Sequence, residues 1–581
     1  MGDKMKITGA QVVIECLIEQ GVDIIFGYPG GNILNIYDAL YKNSDRINHI
    51  LTAHEQGASH AADGYARSTG KVGVCMATSG PGATNLVTGI ATAYMDSSPI
   101  VAITCNVATP LLGKDTFQEI DITGVTMPIT KHNFMVRSVE ELASTIREAF
   151  IIAKSGRPGP VLIDIPKEIT AQEVEFTPLK KGDDGAKKLT KENNNFKRVM
   201  TVAEPTDKEI KTAADLINNA ERPVIYAGGG IKLSGAEAEL LEFAETASIP
   251  VSESLMARDC FPATHELCTW MVGMHGTKAS NMAITESDLV LALGARFSDR
   301  VIGDPSKFAL NAKVFQIDVD PAEINKNIPT AGCLIGNVKS ILARLIPLLK
   351  KKKRAEWLKQ IQEWKKDVPQ TYFREPKDSI NPKFICECIN KVAGENTFIT
   401  TEVGQHQMWT AQFYPFTKPR TFVTSGGLGT MGFGTGAAIG IQCANPKARV
   451  VHIAGDGSFR MNCNELATIQ HYNLPVVIVV ENNGALGNVR MWQRLFYGKR
   501  FSQTTLDFGP DWVKLAESYG IKGYRASNAK EFEKVFTEAF KSKKPCVIDA
   551  KVDIDEMVLP MVPGGKPIYD MIMSLSEEVM N

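Results

Sequence analysis

Short apolar runs rich in β-branched residues alternate with longer amphipathic stretches along most of this chain. Residues 8–17 carry apolar side chains at helical spacing, and residues 23–28 form the first strand-like run. Three more strand-like runs follow in the first 175 residues, at 72–78, 99–104 and 161–165. Strands separated by helices predict βαβ units and a mostly parallel sheet.

The same alternation returns twice more. Strand-like runs lie at 223–227, 289–293 and 313–317, and then at 397–401, 449–454, 475–480 and 545–550. The chain turns polar and basic between 176 and about 206, and a charged stretch follows residue 349. We therefore predict an α/β protein of three consecutive doubly wound domains with mostly parallel sheets, over residues 1–180, 207–349 and 380–581. A linker over 181–206 and a charged linker helix over 350–379 join them.

Composition and charge narrow the class of protein. With 581 residues, 44% hydrophobic and 22% charged, the chain is globular and too long for one core. A net charge of −1 gives no electrostatic basis for binding nucleic acid or an anionic membrane. The basic run 350–354 is interpreted as a solvated helix face, because acidic residues soon follow it. No apolar run approaches the roughly 20 residues that a membrane span needs.

Cysteine usage and the N-terminus indicate a cellular compartment. Eleven cysteines are sparse in a chain of this length, and none forms a C-x-x-C pair. Cys386 and Cys388 are interpreted as packing residues rather than metal ligands. The N-terminus has neither an apolar signal segment nor an Arg/Ser-rich leader. We expect no disulfide framework, no zinc site and a cytoplasmic location.

The strongest chemical signal joins two turns. Gly455-Asp456-Gly457-Ser458 follows one predicted strand, and Asn482-Asn483 follows the next. Open α/β sheets bind ligands at the carboxyl ends of neighbouring strands. Asp and Asn oxygens suit Mg²⁺, which proteins usually coordinate together with phosphate oxygens. Glycines let backbone amides approach phosphate oxygens. A Gly-Asp-Gly turn alone is weak, but with the asparagine pair it predicts a diphosphate–Mg²⁺ site.

This pattern is the signature of thiamine-diphosphate enzymes, and other segments extend the likeness over nearly the whole chain outside the two polar linkers. Together they resemble acetolactate (acetohydroxyacid) synthases. The segments that carry the resemblance are 26–31, 54–58, 78–85, 115–119, 131–134, 155–160, 273–277, 402–409, 427–434, 489–493 and 558–563. Such a series in the correct order is far more specific than any one motif.

The resemblance implies a transferase that decarboxylates pyruvate and joins the hydroxyethyl unit to a second 2-oxo acid. Pyruvate as acceptor gives 2-acetolactate, and 2-oxobutyrate gives 2-aceto-2-hydroxybutyrate, in the first common step of branched-chain amino acid (valine, leucine, isoleucine) biosynthesis. The implied cofactors are thiamine diphosphate, Mg²⁺ and FAD, the flavin without a redox role. The first domain would bind the aminopyrimidine, the central domain FAD and the third domain the diphosphate.

The resemblance also implies partners. In relatives, the residues that correspond to Glu55 and Asp456 come from different subunits, which makes a homodimer the minimum active unit. The choice between dimer and tetramer stays open. A separate small regulatory subunit is common in this family. Neither a nucleic acid nor a membrane is implied.

Residue roles follow from the resemblance. Glu55 would exchange a proton with N1′ of the aminopyrimidine, and Met431 would lie beneath the bent cofactor. Arg296 would face the carboxylate of the second oxo acid, and Trp492 would select its side chain by size. The substrate channel would be lined by Phe117, Gln118 and Lys167.

The cofactor contacts implied by the resemblance form three sets. Thiamine diphosphate would contact Tyr28, Pro29, Gly30, Thr78, Pro81, Asn85, Val403, Gly404, Gln405, His406, Gly429, Met431, Gly455, Gly457, Ser458 and Asn488. FAD would contact Arg157, Gly228, Gly229, Gly230, Met274, His275, Gly294, Arg296, Asp299, Arg300, Asp318 and Asn337. Mg²⁺ would be held by Asp456, Asn483 and the backbone carbonyl of Ala485.

Individual residues distinguish this interpretation from related functions. Pyruvate oxidase, which also holds FAD, is the strongest rival, but Trp492 with Arg296 favours an acceptor acid over an oxidase. Glyoxylate carboligases lack the acid that Glu55 represents, and the adjacent His pair typical of 2-oxo acid decarboxylases does not occur in this sequence. A scaffolding pseudo-enzyme is disfavoured by the intact Glu55, Asp456 and Asn483.

Two positions depart from the family pattern. Asn488 stands where a bulky apolar residue is usual, and Ser298 where aspartate is usual. The preference between pyruvate and 2-oxobutyrate as acceptor stays open for that reason.

Overall fold

Three six-stranded parallel sheets form the framework of the protein. The structure is a computed structural model that describes residues 4–179, 183 and 204–574. The predicted linker over 181–206 lies almost entirely outside the described residues. We call the parts built on the three sheets the first, central and third domains. The expectation of a three-domain α/β fold is confirmed.

The first domain surrounds a sheet of order β3-β2-β4-β5-β7-β6. Its strands are β2 (Ile24–Gly27), β3 (Asn48–Leu51), β4 (Gly73–Ala77), β5 (Ile100–Asn106), β6 (His132–Met135) and β7 (Val161–Pro166). An antiparallel pair, β1 (Met5–Thr8) and β8 (Glu173–Phe176), lies beside it. Its α-helices are Gly9–Glu19, Leu34–Lys42, Glu55–Thr69, Pro81–Asn85, Val87–Met95, Ile122–Thr126, Val139–Lys154 and Lys167–Ala171.

The central domain has the strand order β11-β10-β9-β12-β13-β14. Its strands are β9 (Pro223–Ala227), β10 (Val251–Glu253), β11 (Cys268–Met271), β12 (Leu289–Leu293), β13 (Lys313–Asp318) and β14 (Gly332–Ile335). Its α-helices are Asp207–Asn219, Gly230–Ser234, Glu237–Ala247, Lys278–Glu286, Asp299–Ile302 and Val338–Leu345, and Ala355–Lys366 follows them. All strands are parallel, but their sequence order runs in opposite directions on the two sides of the β9–β12 pair. Open α/β sheets bind ligands in the crevice at such a switch point.

The third domain repeats the topology of the first, in the order β16-β15-β17-β18-β20-β19. Its strands are β15 (Thr397–Thr401), β16 (Phe422–Val423), β17 (Arg449–Gly455), β18 (Val476–Asn482), β19 (Lys522–Ala526) and β20 (Cys546–Lys551). Its α-helices are Pro382–Ala393, Gln405–Phe413, Phe433–Ala444, Asp456–Phe459, Leu466–His471, Gly487–Phe496, Trp512–Ser518 and Ala529–Ser542.

Two helices join the first and third domains within one chain. Glu55–Thr69 packs against Phe433–Ala444, and buried residues of both, including Ala58, Ala61 and Phe433, belong to one hydrophobic core. Burying this shared apolar surface holds the two domains together. The helix that begins at Glu55 is therefore anchored by the third domain.

The interpretation of residues 350–354 as a solvated helix face is correct for the exposure of Lys350, Lys351 and Lys353, but it is wrong for Arg354 and for the start of the helix. The helix begins at Ala355, and Arg354 before it is buried. The Arg354 guanidinium donates to the carbonyl oxygens of Ile217 at 3.1 Å and Ala220 at 3.2 Å, and also to that of Ala247. Carbonyls at helix C-termini lack helical partners and attract a cation, which explains why this basic residue is drawn inward.

All eleven cysteines are free, and Cys386 and Cys388 are buried in the core of the third domain, so their interpretation as packing residues is confirmed. Every helix in the described residues is too short or too polar to span a bilayer.

Candidate active site

The first group of predicted site residues lies at the carboxyl edge of the first sheet. Glu55 begins the helix after β3, and Asn85 ends the short helix after β4. The side-chain nitrogen of Asn85 donates to Oε2 of Glu55 at 3.0 Å. The turn after β2, which contains Tyr28–Gly30, meets the turn after β4 where the N–H of Asn32 donates to Oγ1 of Thr78 at 3.3 Å. Turns that are far apart in sequence thus converge around Glu55.

A loop after β5 carries Phe117 and Gln118. The backbone of Gln118 has a positive φ of 60°, and the side chain of Phe117 is 87% exposed. Asn106 anchors the base of this loop, because its Nδ2 donates to the Ile120 carbonyl at 3.0 Å and to Asp164 at 2.7 Å. Lys167 is also exposed, at the start of the helix after β7.

The second group lies at the carboxyl edge of the third sheet. β17 and β18 pair in parallel with Gly455 opposite Glu481, which confirms that the Gly-Asp-Gly turn and the asparagine pair share one edge. Asp456 is buried, its Oδ1 has no hydrogen-bond partner, and burial raises the pKa of this carboxyl to about 7. A buried carboxylate oxygen without a partner is unfavourable unless a cation meets it.

Asn483 completes the donor set beside Asp456. Its Nδ2 donates to Oε1 of Gln405 at 3.0 Å, and its Oδ1 accepts the N–H of Ala485 at 3.1 Å. Within the described residues, no three His, Cys, Asp or Glu side chains lie close enough together to hold a metal ion. A cation at Asp456 would therefore depend on amide and carbonyl oxygens as well, and this mixed oxygen set fits Mg²⁺.

His406 presents an unpaired ring nitrogen in the same place. Burial lowers the pKa of His406 to about 4, so the ring is neutral near pH 7, and its Nε2 is buried without a partner. The ring fills the space above Gly404 and Gly455, where an added Cβ would come within 2.7 Å of it. A neutral imidazole with one free nitrogen can donate to a phosphate oxygen, so this cradle fits a diphosphate group.

The sequence did not point to Glu402, although it stands directly before the predicted Val403 and Gly404. Its buried carboxylate accepts the N–H of Gly432 at 2.7 Å and the hydroxyl of Ser458 at 3.0 Å. It therefore fixes the loop of Met431 relative to the Gly-Asp-Gly turn. The available signals were its position at the end of a predicted strand and its place in segment 402–409, which carries the family resemblance.

A cavity of about 920 Å³ lies where the three domains meet. All twelve residues that the resemblance associates with FAD line it, and so do Val403, Gly429, Asn488 and Trp492. Burial raises the pKa of the Asp318 carboxyl in its wall to about 6. The size is at the upper end of ligand pockets, about 300–1,000 Å³.

Two contacts stabilise the cavity wall, one between domains and one at a helix N-terminus. Arg157 of the first domain donates to Glu323 of the central domain at 2.7 Å and so fixes the two domains relative to each other. Ser298, one of the departures from the family, precedes the helix Asp299–Ile302 and accepts the N–H of Arg300 at 3.4 Å. The hydroxyl serves as the N-cap of that helix.

One helix, Gly487–Phe496, carries both Asn488 and Trp492 into the cavity. Oδ1 of Asn488 is buried without a partner. Two arginines of the same helix, Arg490 and Arg494, both bind Asp555 in the C-terminal segment, at 3.1 Å and 2.7 Å. Arg296, Asn488 and Trp492 therefore share one cavity. In the part of the chain that the structure describes, no hydrogen bond or ion pair links Glu55 to Asp456 or Asn483.

Family comparisons cover all three domains. Residues 7–125 match the N-terminal TPP binding domain of thiamine pyrophosphate enzymes, residues 210–345 the central domain and residues 402–550 the C-terminal TPP binding domain. The chain is 49% identical to a probable acetolactate synthase large subunit of Methanocaldococcus jannaschii, over 98% of this chain and 96% of the relative. It is 46% identical to an acetolactate synthase of Mycobacterium bovis (96% and 90% covered) and 44% identical to an acetolactate synthase large subunit of Buchnera aphidicola (96% and 97% covered).

Proposed function

The chain belongs to the acetolactate synthase large-subunit family of thiamine pyrophosphate enzymes, and on that premise we propose a role for each of its site residues. The enzyme decarboxylates pyruvate and joins the two-carbon unit to a second 2-oxo acid, pyruvate or 2-oxobutyrate. This is the first common step of branched-chain amino acid biosynthesis.

The diphosphate end of the cofactor would be held by the second group of residues. Asp456, Asn483 and the carbonyl of Ala485 would bind Mg²⁺, and Gln405 and His406 would contact the diphosphate. The observation that carries this proposal is the unpaired, buried Oδ1 of Asp456 beside the tethered Asn483. An ion shared between protein oxygens and a diphosphate is the usual arrangement for Mg²⁺.

When bound, thiamine diphosphate supplies the carbanion chemistry that lets a 2-oxo acid lose CO₂. The role of Glu55 is to hold a proton at its carboxyl group for the aminopyrimidine nitrogen. Asn85, which donates to Oε2 of Glu55, keeps this carboxyl in one orientation. Met431 supports the cofactor from a loop that Glu402 fixes through the N–H of Gly432.

The acceptor acid would bind in the shared cavity. Arg296 would hold its carboxylate by a charge-assisted contact, for which a guanidinium offers two parallel N–H donors. Trp492 would contact its side chain, where one methylene is worth about 1–3 kcal/mol. Phe117, Gln118 and Lys167 would line the approach from the first domain.

FAD would occupy the part of the cavity that the central domain lines. The convergence there of all twelve implied residues, from two domains, supports this proposal. The carboligation transfers no net electrons, so the flavin would have a structural role.

A homodimer is the proposed minimum active unit. Two observations support it: Glu55 has no polar contact with the Asp456 group in the described residues, and Phe117 and Met127 of the first domain are 87% and 67% exposed. A second copy could cover these apolar side chains and complete each site. A separate small regulatory subunit is a further proposed partner, since relatives are named large subunits. The cytoplasmic location stays a prediction.

One assay tests the proposed function against its strongest rival. Purified protein is incubated with pyruvate, thiamine diphosphate and Mg²⁺, and acetolactate, acetate and peroxide are quantified, with omission of thiamine diphosphate as the control. Acetolactate as the main product supports the proposal. Acetate with equimolar peroxide would identify an oxidase, and no cofactor-dependent product would indicate a scaffold.

A further inference from the structure

Glu465 reaches from the third domain to the backbone that precedes Glu55. It ends the 3₁₀ turn Cys463–Glu465, and it is fully buried. One carboxylate oxygen accepts the N–H of His54 at 3.0 Å, and the other accepts the N–H of Ala53 at 3.1 Å. Both donors belong to the turn that leads from β3 into the helix beginning at Glu55.

The surroundings of this carboxylate leave it little freedom. Its Oε2 also accepts the hydroxyl of Thr468 at 2.7 Å, so three donors compensate for the lost hydration. Gly57 lies against it, and an added Cβ would come 2.0 Å from Oε1. The contact therefore requires both the carboxylate at 465 and the absence of a side chain at 57.

In the same turn, the N-cap of the helix is the side chain of His54 and not that of Glu55. Carboxylates are attracted to helix N-termini, and an acidic residue in the first turn can satisfy the unpaired N–H groups there. Here the ring of His54 accepts the N–H of Gln56 at 3.0 Å, and Glu465 accepts the N–H of His54. The carboxylate of Glu55 instead accepts from Asn85.

We infer that Glu465 is a positioning residue for Glu55: by binding the N–H groups of Ala53 and His54, it fixes the turn that aims the Glu55 carboxyl. This inference rests on the proposed role of Glu55. The hydrogen bonds of Glu465 run to Ala53, His54 and Thr468, so it would act through the backbone of another domain. The short segment that starts with the metal-binding turn at Asp456 thus also supports the activating acid.

Glu465→Gln tests the inference with least change of shape. The amide keeps one acceptor oxygen but turns its NH₂ group toward a backbone N–H. A misplacement of a reacting group by about 1 Å can lower turnover about 10²-fold, so we expect kcat to fall about 10–10²-fold. The KM for pyruvate and the affinity for thiamine diphosphate should change by less than about twofold, because binding groups are untouched. Thr468→Val is the matched control, since it removes one donor and leaves both backbone bonds, and it should keep wild-type kcat.

Two further measurements separate positioning from a general loss of structure. In the protein without cofactor, hydrogen exchange at the amides of Ala53 and His54 should speed up in Glu465→Gln but not in Thr468→Val. Gly57→Ala, which displaces the carboxylate without altering it, should give the same kcat loss. In a Glu55→Gln background, Glu465→Gln should cause no further loss, because it acts only through Glu55.

The outcomes are distinct. Additive losses in the double variant, or wild-type kcat in Glu465→Gln, would overturn the inference while leaving the role of Glu55 intact. Near wild-type turnover of the single variant Glu55→Gln would overturn the proposed role of Glu55 itself.

Discussion

Asn483 donates its side-chain nitrogen to Oε1 of Gln405 at 3.0 Å. This bond fixes the orientation of the Asn483 amide, because the nitrogen is committed to Gln405. The carbonyl oxygen accepts the N–H of Ala485 and keeps a second lone pair, so it can also face a cation beside the unpaired oxygen of Asp456. Gln405 is itself anchored, since its Nε2 donates to the carbonyl of Glu556 at 2.8 Å.

The first prediction concerns this metal site. Asp456→Ala should raise the Mg²⁺ and thiamine-diphosphate requirements together, because the ion would bridge protein and diphosphate. Fluorescence quenching by the cofactor, titrated at several Mg²⁺ concentrations, measures both. Asp215→Ala, an exposed aspartate of the central domain, is the control and should leave both unchanged. Cofactor affinity of Asp456→Ala equal to wild type, even with EDTA, would contradict the assignment.

The second prediction concerns the flavin. Purified protein should be yellow, or become yellow with added FAD, because the cavity of about 920 Å³ collects the implied binding residues. Anaerobic turnover of pyruvate, followed at the flavin absorbance, should show no reduction that matches product. Reduced flavin formed in proportion to product would mean that the cavity serves an oxidase.

The third prediction concerns the choice of acceptor. Trp492→Leu should shrink any preference for 2-oxobutyrate while leaving pyruvate decarboxylation largely intact, because only the acceptor side chain would lose its contact. One methylene in an apolar pocket allows a roughly 10–200-fold preference. Competition between both acceptors, with both products quantified, measures the ratio. A ratio that stays constant in Trp492→Leu but shifts in Asn488→Met would place the selecting contact at Asn488.

Much of the fold could be predicted because apolar β-branched runs mark buried parallel strands. Once β17 and β18 are recognised, the carboxyl edge that carries Asp456 and Asn483 follows from topology. Short or polar strands gave no such signal, and β6 (His132–Met135) is an example.

Contacts between side chains and distant backbone could not be predicted. Glu465 binds N–H groups more than 400 positions away, His54 being 411 residues earlier. Because every residue except proline has such an N–H, the sequence does not mark these partners. Arg354 was misjudged for the same reason, since its partners are carbonyl groups at helix ends.

The fourth prediction concerns pH and the base of the Phe117 loop. Asp164 accepts from Thr104 and Asn106, both at 2.7 Å, and burial raises the pKa of its carboxyl to about 6. The folded protein therefore binds this proton more tightly than the unfolded chain, in which the pKa of an aspartate is about 3.9. The resulting stabilisation is complete below about pH 4 and is lost as the pH rises through about 6.

Asp164→Asn mimics the protonated acid and tests the direction in which stability changes with pH. Its apparent Tm should match that of wild type at about pH 4 and exceed it by a few degrees at about pH 7.5. Asp215→Asn serves as the control. An equal Tm difference at both pH values would show that the carboxyl of Asp164 does not titrate in this range.

The central claim is that Glu55 activates a bound thiamine diphosphate. The most direct measurement is kcat of Glu55→Gln together with its thiamine-diphosphate affinity. The amide preserves shape and can still accept from Asn85, but it cannot hold the exchangeable proton. We expect unchanged cofactor affinity and a kcat about 10²–10⁴-fold lower, the usual loss for a positioned acid or base. Near wild-type kcat with full cofactor occupancy would contradict the account.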